Sequence, residues 1–596
     1  MNAVHNLLKS KPMTAAMQIQ PQASDDARLA AYLPEVLGTA ERLLGNLDRE
    51  QHSVSYGSFD REHWGWKFRD YPLTMLQAGL YPLALLWRHE FRDSPYHGNP
   101  QILAWIEASI ENICRRQHKN GAFDGPGPYT QEYGVSLAMA YFLTETERIM
   151  GDELTPYLRP VIQDVVRTSC EFALRSSEDY AFISNHHAHY ALAFHNAYEF
   201  LGDERFSRRA QEIIDLIISK QSPDGWYREY GGPDPGYESL GIFYLATYWK
   251  RTGSSRLLDS LRHSIDFYSH CLHQDGSVGG VYGSRHTSLY YPGGFELLAA
   301  ELPRAAAIAR FMRERLASHN VVTPLVSDSE NLSSLSYSYL EACLITDWPY
   351  EKEVPRLPCE SLDGIRSFAE SNIIVVGTRS YYAVLNASKG GVTRICDKRT
   401  GKIAYQDAGY IVRAGKRRWT SQLIGLGHGA VTTASHEVAC ETTFGEVRQL
   451  LPTPENYILL RLLNLTLFRS IRLGSWLRRQ IVRRLITSMH PGPFRLNRLV
   501  TFGANSICFR DHLRMVGPQR LHVDEVALPC WFTAIHMGSA KYFHQCQLET
   551  TPQVRVGGIT TQLNRTGEAR FEFTLSFPDL LEPQLVVADA SAHGET

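Results

Sequence analysis

The stretch QSPDGWY, residues 221–227, ends one helix-like segment and precedes another, and a near copy, QHKNGAF, stands at residues 117–123. A third loop of the same kind, HQDGSV, spans residues 273–278. Their glycines, Gly121, Gly225 and Gly276, are 104 and 51 residues apart, close to two units and one unit of about 52 residues. The segments before the first two loops, NPQILAWIEASIENICRRQ and ERFSRRAQEIIDLIISKQ, carry apolar residues at helical spacing. A unit of this size holds two helices and two loops. About six such hairpins closing into a ring would place every loop of this type on one rim, while an open solenoid is the other arrangement of the same repeat.

The helical pattern extends from residue 25 to residue 350 and includes LPEVLGTAERLLGNL and YPLTMLQAGLYPLALLWRHEF. After the Pro-rich stretch WPYEKEVPRLPCESLDG (348–364) it gives way to short β-rich runs with glycine-bearing turns, such as NIIVVGT, YYAVLNAS and GYIVRAG. VRVGGITTQLN and ARFEFTLSF read as further strands toward the C-terminus. A chain of 596 residues exceeds one hydrophobic core. The expected organisation is a tail over 1–24, an incomplete α/α toroid over 25–350, a linker over 351–366 and an antiparallel β-sandwich over 367–596.

The net charge of −2 selects no partner, and the ten cysteines show neither CxxC nor finger-like spacing. The first residues lack an apolar signal segment, and no apolar run is long enough to span a membrane. These features lead us to expect a cytoplasmic location. Charge is concentrated in one place: between Glu455 and Asp511 there are ten arginines and no acidic residue. Its middle, LFRSIRLGSWLRRQIVRRLITS, predicts a basic amphipathic helix near 467–489, the pattern of a helix lying on an anionic membrane at its inner face. The plainer alternative is a surface helix whose arginines meet acidic groups. No nucleic-acid-binding fold accompanies the charge, so nucleic acid is not expected as a partner.

The candidate chemistry lies in SNHHAHYALAFHNAYEF, residues 184–200, where a helix spends its first turn on Asn185, His186, His187 and His189. Tyr237 follows 52 residues after Asn185 in WYREYGGPDPGYESLGIFYLATYW, and GSRHTSLYYPGG then supplies Arg285 and His286. An Asn-His pair, a later Tyr and a further His resemble the toroid polysaccharide lyases. The chain is similar to heparinase II/III-like proteins over about residues 50–590, and more distantly to alginate lyases. The resemblance implies β-elimination on a uronate polysaccharide or oligosaccharide, with Asn185, His186, Tyr237 and His286 catalytic and without metal or other cofactor. In many relatives the second histidine lies in the sandwich, for which His436 is a candidate here.

The residue types suit that reaction. Taking a proton alpha to a carboxylate requires hydrogen bonds or cations on the carboxylate, and Asn185, His186 or an arginine can supply them. Tyr237 serves as acid or base if nearby cations such as Arg228 and Arg285 lower its pKa, and imidazole carries the other proton. Tyr230, Arg228 and Arg285 are expected to bind substrate. So are Trp64, Trp66 and Lys67 in SYGSFDREHWGWKFRDYP, and Tyr129, Glu132 and Tyr133 in GPGPYTQEYG, because indole and phenol faces beside cations stack sugars and read their carboxylates. Plainer readings stand beside these. His186 and His189 have i, i+3 metal-ligand spacing, His195 suits a core, and the tryptophans suit inter-helix packing. Rival functions are a uronate C5-epimerase on the same site, a toroid glycoside hydrolase with paired carboxylates, and a non-catalytic glycan-binding component of exopolysaccharide assembly.

Overall fold

The computed structural model describes residues 23–177, 182–345, 353–432, 436–448, 451–482, 490–517, 520–535, 537–548, 554, 556–578 and 583–587. Most of the expected N-terminal tail and the 483–489 part of the expected basic helix lie outside the described residues.

The N-terminal half is a ring of helical hairpins. Outer helices Ala23–Asn46, Pro100–Arg115, Leu158–Leu174, Glu204–Lys220, Ser255–Ser269 and Pro303–Arg315 alternate with inner helices Leu80–Arg88, Tyr133–Met150, Ser184–Leu201, Pro235–Thr252, Pro292–Leu298 and Ser329–Leu344. An outer helix buries one stripe only, as Glu204–Lys220 does with Phe206, Ala210, Ile213, Ile214 and Ile217. The inner helices are buried around most of their circumference. The circle closes where Ala23–Asn46 packs on Ser329–Leu344, with the Tyr32 ring edge-on to Tyr339 at 5.6 Å.

The repeated loops are clamps between successive units. Gly121 and Gly225 have φ of +90° and +105°, and a Cβ there would lie 2.1 Å and 2.4 Å from the Thr168 and His263 carbonyl oxygens. Only glycine tolerates both the conformation and the approach. Gln117 donates its amide to the Gly121 and Val165 carbonyls, and Gln221 does the same to Gly225 and Ser260.

Among the described residues two antiparallel sheets follow. The first has five strands in chain order, Gly364–Phe368, Ile373–Gly377, Tyr381–Asn386, Val392–Asp397 and Ile403–Asp407. The second has nine, centred on Glu437–Glu446, Pro491–Phe502, Ser506–Met515 and Glu568–Ser576. The five-stranded sheet is the middle layer. Ile373, Val375, Tyr382 and Val384 join the core of the helical ring, whereas Ile374, Val376, Tyr381, Ala383 and Leu385 join the core between the sheets. With side chains alternating between faces, burial on both explains why NIIVVGT and YYAVLNAS are almost wholly apolar.

Three expectations need adjustment. The first strand begins at Gly364, inside the expected linker. GGITTQLNRT, read as part of a strand, is the helix Gly557–Thr566, because Ile559 and Leu563 are buried four residues apart and Gly567 caps it at φ +85°. The helical insertion starts at Pro454, earlier than the expected 467, as helices Pro454–Leu465 and Ile471–Val482. Two of the ten arginines serve the sheets rather than the insertion. Arg498 is buried between the sheets, where Nη1 pairs with Asp407 at 2.9 Å and Nε with Asp511 at 2.8 Å, and Arg510 pairs with Glu572 on neighbouring strands at 3.0 Å.

Candidate active site at the seam of ring and sheets

The middle sheet grips the ring through one loop. Tyr382 donates its hydroxyl to the His270 carbonyl at 2.7 Å, and Asn386 donates its amide to Tyr282 at 2.7 Å. Lys389, 1% exposed, donates to the Val281 and Gly283 carbonyls at 2.6 Å and 2.8 Å. Burial pushes its ammonium down to about 7. The backbone that carries Arg285 and His286 is thus held from beneath by the sheet.

Glu229 organises the first turn of Ser184–Leu201. Its carboxylate accepts the Asn185 backbone N–H at 2.9 Å and the Asn185 side-chain amide at 2.7 Å, satisfying an otherwise unpaired helix-terminal donor. Glu229 is 1% exposed, and burial pushes its carboxyl up to about 8 against the opposing pull of Asn185 and His186. His187 places Nδ1 2.9 Å from the Ile183 carbonyl oxygen. His189 stacks on Tyr244 at 4.5 Å in the interior, where burial pushes it down to about 3. Among the described residues no group of three or more His, Cys, Asp or Glu is placed to hold a metal ion.

The second helix, Pro235–Thr252, starts as its sequence dictates. Asp234 caps it by accepting the Tyr237 N–H at 3.3 Å, and Pro235 sets the first helical φ. The same buried carboxylate accepts the Arg285 N–H at 2.8 Å, tying the Tyr237 helix to the Arg285 loop. One turn beyond Tyr237, Gly241 lies against Asn185, with its Cβ position 3.6 Å from the Asn185 Cα. Tyr237 and Asn185 are therefore offset by about 6 Å along the helix axes. The Tyr237 hydroxyl is 2.7 Å from Ser539 Oγ of the C-terminal domain. Contrary to expectation, its phenol is pushed up rather than down, because burial raises it, the Ser539 hydrogen bond opposes only in part, and the neighbouring Asp234 adds to the rise.

Arg285 lays its guanidinium over the Tyr230 ring at 3.5 Å. Its Nε is buried without a hydrogen-bond partner, and its charge acts on Glu229, Asp234 and Tyr237. His286 is 8% exposed with Nδ1 also unpartnered. Burial, followed by Lys389 and His544, pushes it well below the usual imidazole range. His544, and not His436, is the C-terminal histidine that meets it. His436 instead ends a strand of the large sheet, its carbonyl accepting from Phe502. Between the two domains His286, Ser288, Trp531, Tyr542 and His544 line a cavity of 360 Å³.

Five expected residues, Asn185, His186, Tyr230, Tyr237 and Arg285, thus share one neighbourhood, whereas His286, next to Arg285 in the chain, lines the cavity with His544. Arg228 does not join them: it pairs with Glu370 at 2.5 Å and lies over Trp226, since along this extended segment successive side chains point to opposite sides. Trp64 donates its indole N–H to the Asn46 carbonyl at 2.9 Å, whereas Trp66 and Lys67 are exposed. Tyr133 packs edge-on to Tyr190 at 5.0 Å. Tyr129 lies beneath Arg469 at 4.5 Å, and Glu132 belongs to the same rim loop. Four of these residues, Lys67, Tyr129, Tyr230 and His286, have φ of 59°, 62°, 63° and 64°. That strain is uncommon for bulky side chains and clusters at functional sites. Sequence reasoning did not single out Glu229, Lys389, Ser539 or His544. Glu229 alone carried a local signal, as an acid within an aromatic and glycine-rich loop.

No family model matches the chain, and no curated protein matches it. Solved structures do. A Paenibacillus xanthan lyase superposes with a TM-score of 0.51 at 12% identity, over 85% of this chain and 47% of the lyase. A Streptomyces coelicolor A3 chondroitin AC lyase, solved with chondroitin sulphate, gives 0.48 at 13% identity over 83% and 70%. The chain spans about half the length of the xanthan lyase. These neighbours do not single out the heparinase II/III-like branch. What the likeness establishes is the fold, an α/α toroid followed by antiparallel sheets as in a polysaccharide lyase.

Proposed function

We propose that the protein is a polysaccharide lyase that cleaves a 4-linked uronate polymer by β-elimination. The observation that carries the reading is the meeting of Asn185, Tyr237 and Arg285 around the buried carboxyls of Glu229 and Asp234, with Arg285 Nε buried and unpartnered among the described residues. In this reading Asn185, held by Glu229, and Arg285 bind the uronate carboxylate and stabilise the charge that grows as the C5 proton leaves. His286, kept neutral by burial, accepts that proton. Tyr237, kept protonated by burial, donates its proton to O4 as the C4–O4 bond breaks and the C4–C5 double bond forms. Solvent then returns the imidazole proton to the phenolate. The Asn185-His186 turn supports the heparinase II/III-like branch.

The test is incubation with a panel of uronate polymers, followed by the ultraviolet absorbance of the new double bond. The expected result is a rise on at least one polymer that falls about 10²–10⁴-fold in Tyr237→Phe. Solvent deuterium entering C5 without chain cleavage would establish an epimerase instead. New reducing ends without absorbance would establish a hydrolase.

A further inference from the structure

The insertion helix Pro454–Leu465 is inside out. Its protein-facing stripe is polar: Arg461 pairs with Asp70 at 2.8 Å, and Asn464 donates to the Pro128 carbonyl at 2.8 Å. Its outward stripe is Ile458, Leu462 and Leu465, with Leu459 beside them, at 63%, 55%, 49% and 57% exposure. Both stripes follow helical spacing, so the helix is amphipathic with the polarity of a water-soluble helix reversed. The next helix, Ile471–Val482, continues the surface with Leu473 and Trp476, each at least half exposed. Across the Arg461–Asp70 contact, the ring adds Trp66 and Phe68, 62% and 79% exposed. From 456 to 482 the chain carries five arginines and no acidic residue.

We propose that this insertion docks the protein on an anionic lipid bilayer, with the leucine stripe in the acyl boundary and the net positive charge of the segment drawing it to the headgroups. Isolated exposed leucines need no explanation, but an apolar face of this length on a segment with net positive charge does. The charge selects the occupant. A second copy meeting this face about a two-fold axis would set arginine against arginine, whereas phosphate headgroups neutralise them and the outward leucines and Trp476 suit the interface. No helix among the described residues is long and apolar enough to cross a membrane, so the contact is peripheral. It is independent of the lyase reading, and so is its test.

The test is co-sedimentation of the full chain with vesicles of phosphatidylcholine and phosphatidylglycerol in equal parts, and with vesicles of phosphatidylcholine alone. Binding is expected to the anionic vesicles, at least about ten-fold weaker on the neutral ones and weakened by salt. The double variant Leu459→Ser/Leu462→Ser is expected to lose at least about ten-fold of the binding while keeping the wild-type circular dichroism, because both side chains touch solvent. The proposal is overturned if the wild type stays in the supernatant, if the two vesicles bind equally, or if the double variant binds as wild type. A wild-type dimer that the same variant converts to monomer would overturn it in favour of a second copy.

Discussion

Replacing Glu229 by Gln tests whether the buried carboxyl behaves as its surroundings dictate. In the wild type the folded-state value lies near 8 and the ordinary one near 4.5. The folded protein therefore holds this proton more tightly than the unfolded chain. The associated stabilisation is fully present below about pH 4.5 and is lost as pH rises through about 8. At about 1.4 kcal/mol per pH unit, the window is worth at most about 4–5 kcal/mol. Gln cannot titrate, and it turns one donor toward an Asn185 donor, a pH-independent cost of about 1–3 kcal/mol. Urea unfolding of both proteins from about pH 5 to about pH 9 should show wild type ahead in acid and the two curves converging or crossing in base. Parallel curves across that range would refute the assignment of a raised value to Glu229. A drop in turnover with unchanged fold would add that Glu229 positions Asn185 for substrate.

Three further outcomes follow from the packing. Lys389→Met removes the donor that holds the Val281 and Gly283 carbonyls, and turnover in the proposed reaction should fall together with protection of the 281–286 amides from hydrogen exchange. Because the Lys389 ammonium is pushed from 10.5 to about 7, wild-type stability should fall as pH drops from about 10.5 toward about 7 and the variant should lack that slope. Arg498→Met leaves Asp407 and Asp511 buried without their cation, and a loss of about 3–5 kcal/mol is expected in urea unfolding. Gly225→Ala forces a Cβ within 2.4 Å of the His263 carbonyl oxygen, which should cost at least about 2 kcal/mol, read as a lower thermal midpoint.

The ring was legible because its loops carry their own mechanism: a glutamine that bridges units and a glycine that no other residue replaces. Arg498 was not. In the sequence it is one more member of a basic run, and only the strand pairing that sets Asp511 beside it and the sheet packing that brings Asp407 to it reveal a core residue. The insertion showed its apolar stripe, but which stripe faces the protein depends on Asp70 and Pro128, more than 300 residues away. Gly557–Thr566 was misread because its two buried residues are too few to tell a period of two from one of four. His544 and Ser539 reach the site through domain docking, which leaves no trace in local spacing.

The middle sheet, with one face in each core, makes the two halves a poor place to cut. A chain severed between helix and strand would leave one fragment with a bare apolar floor and the other with an uncovered apolar roof. Recombination that swaps the C-terminal half among related proteins must carry over the helical surface that matches it. Inheritance of the helical ring and its sheets as a single block is the evolutionary signature to expect.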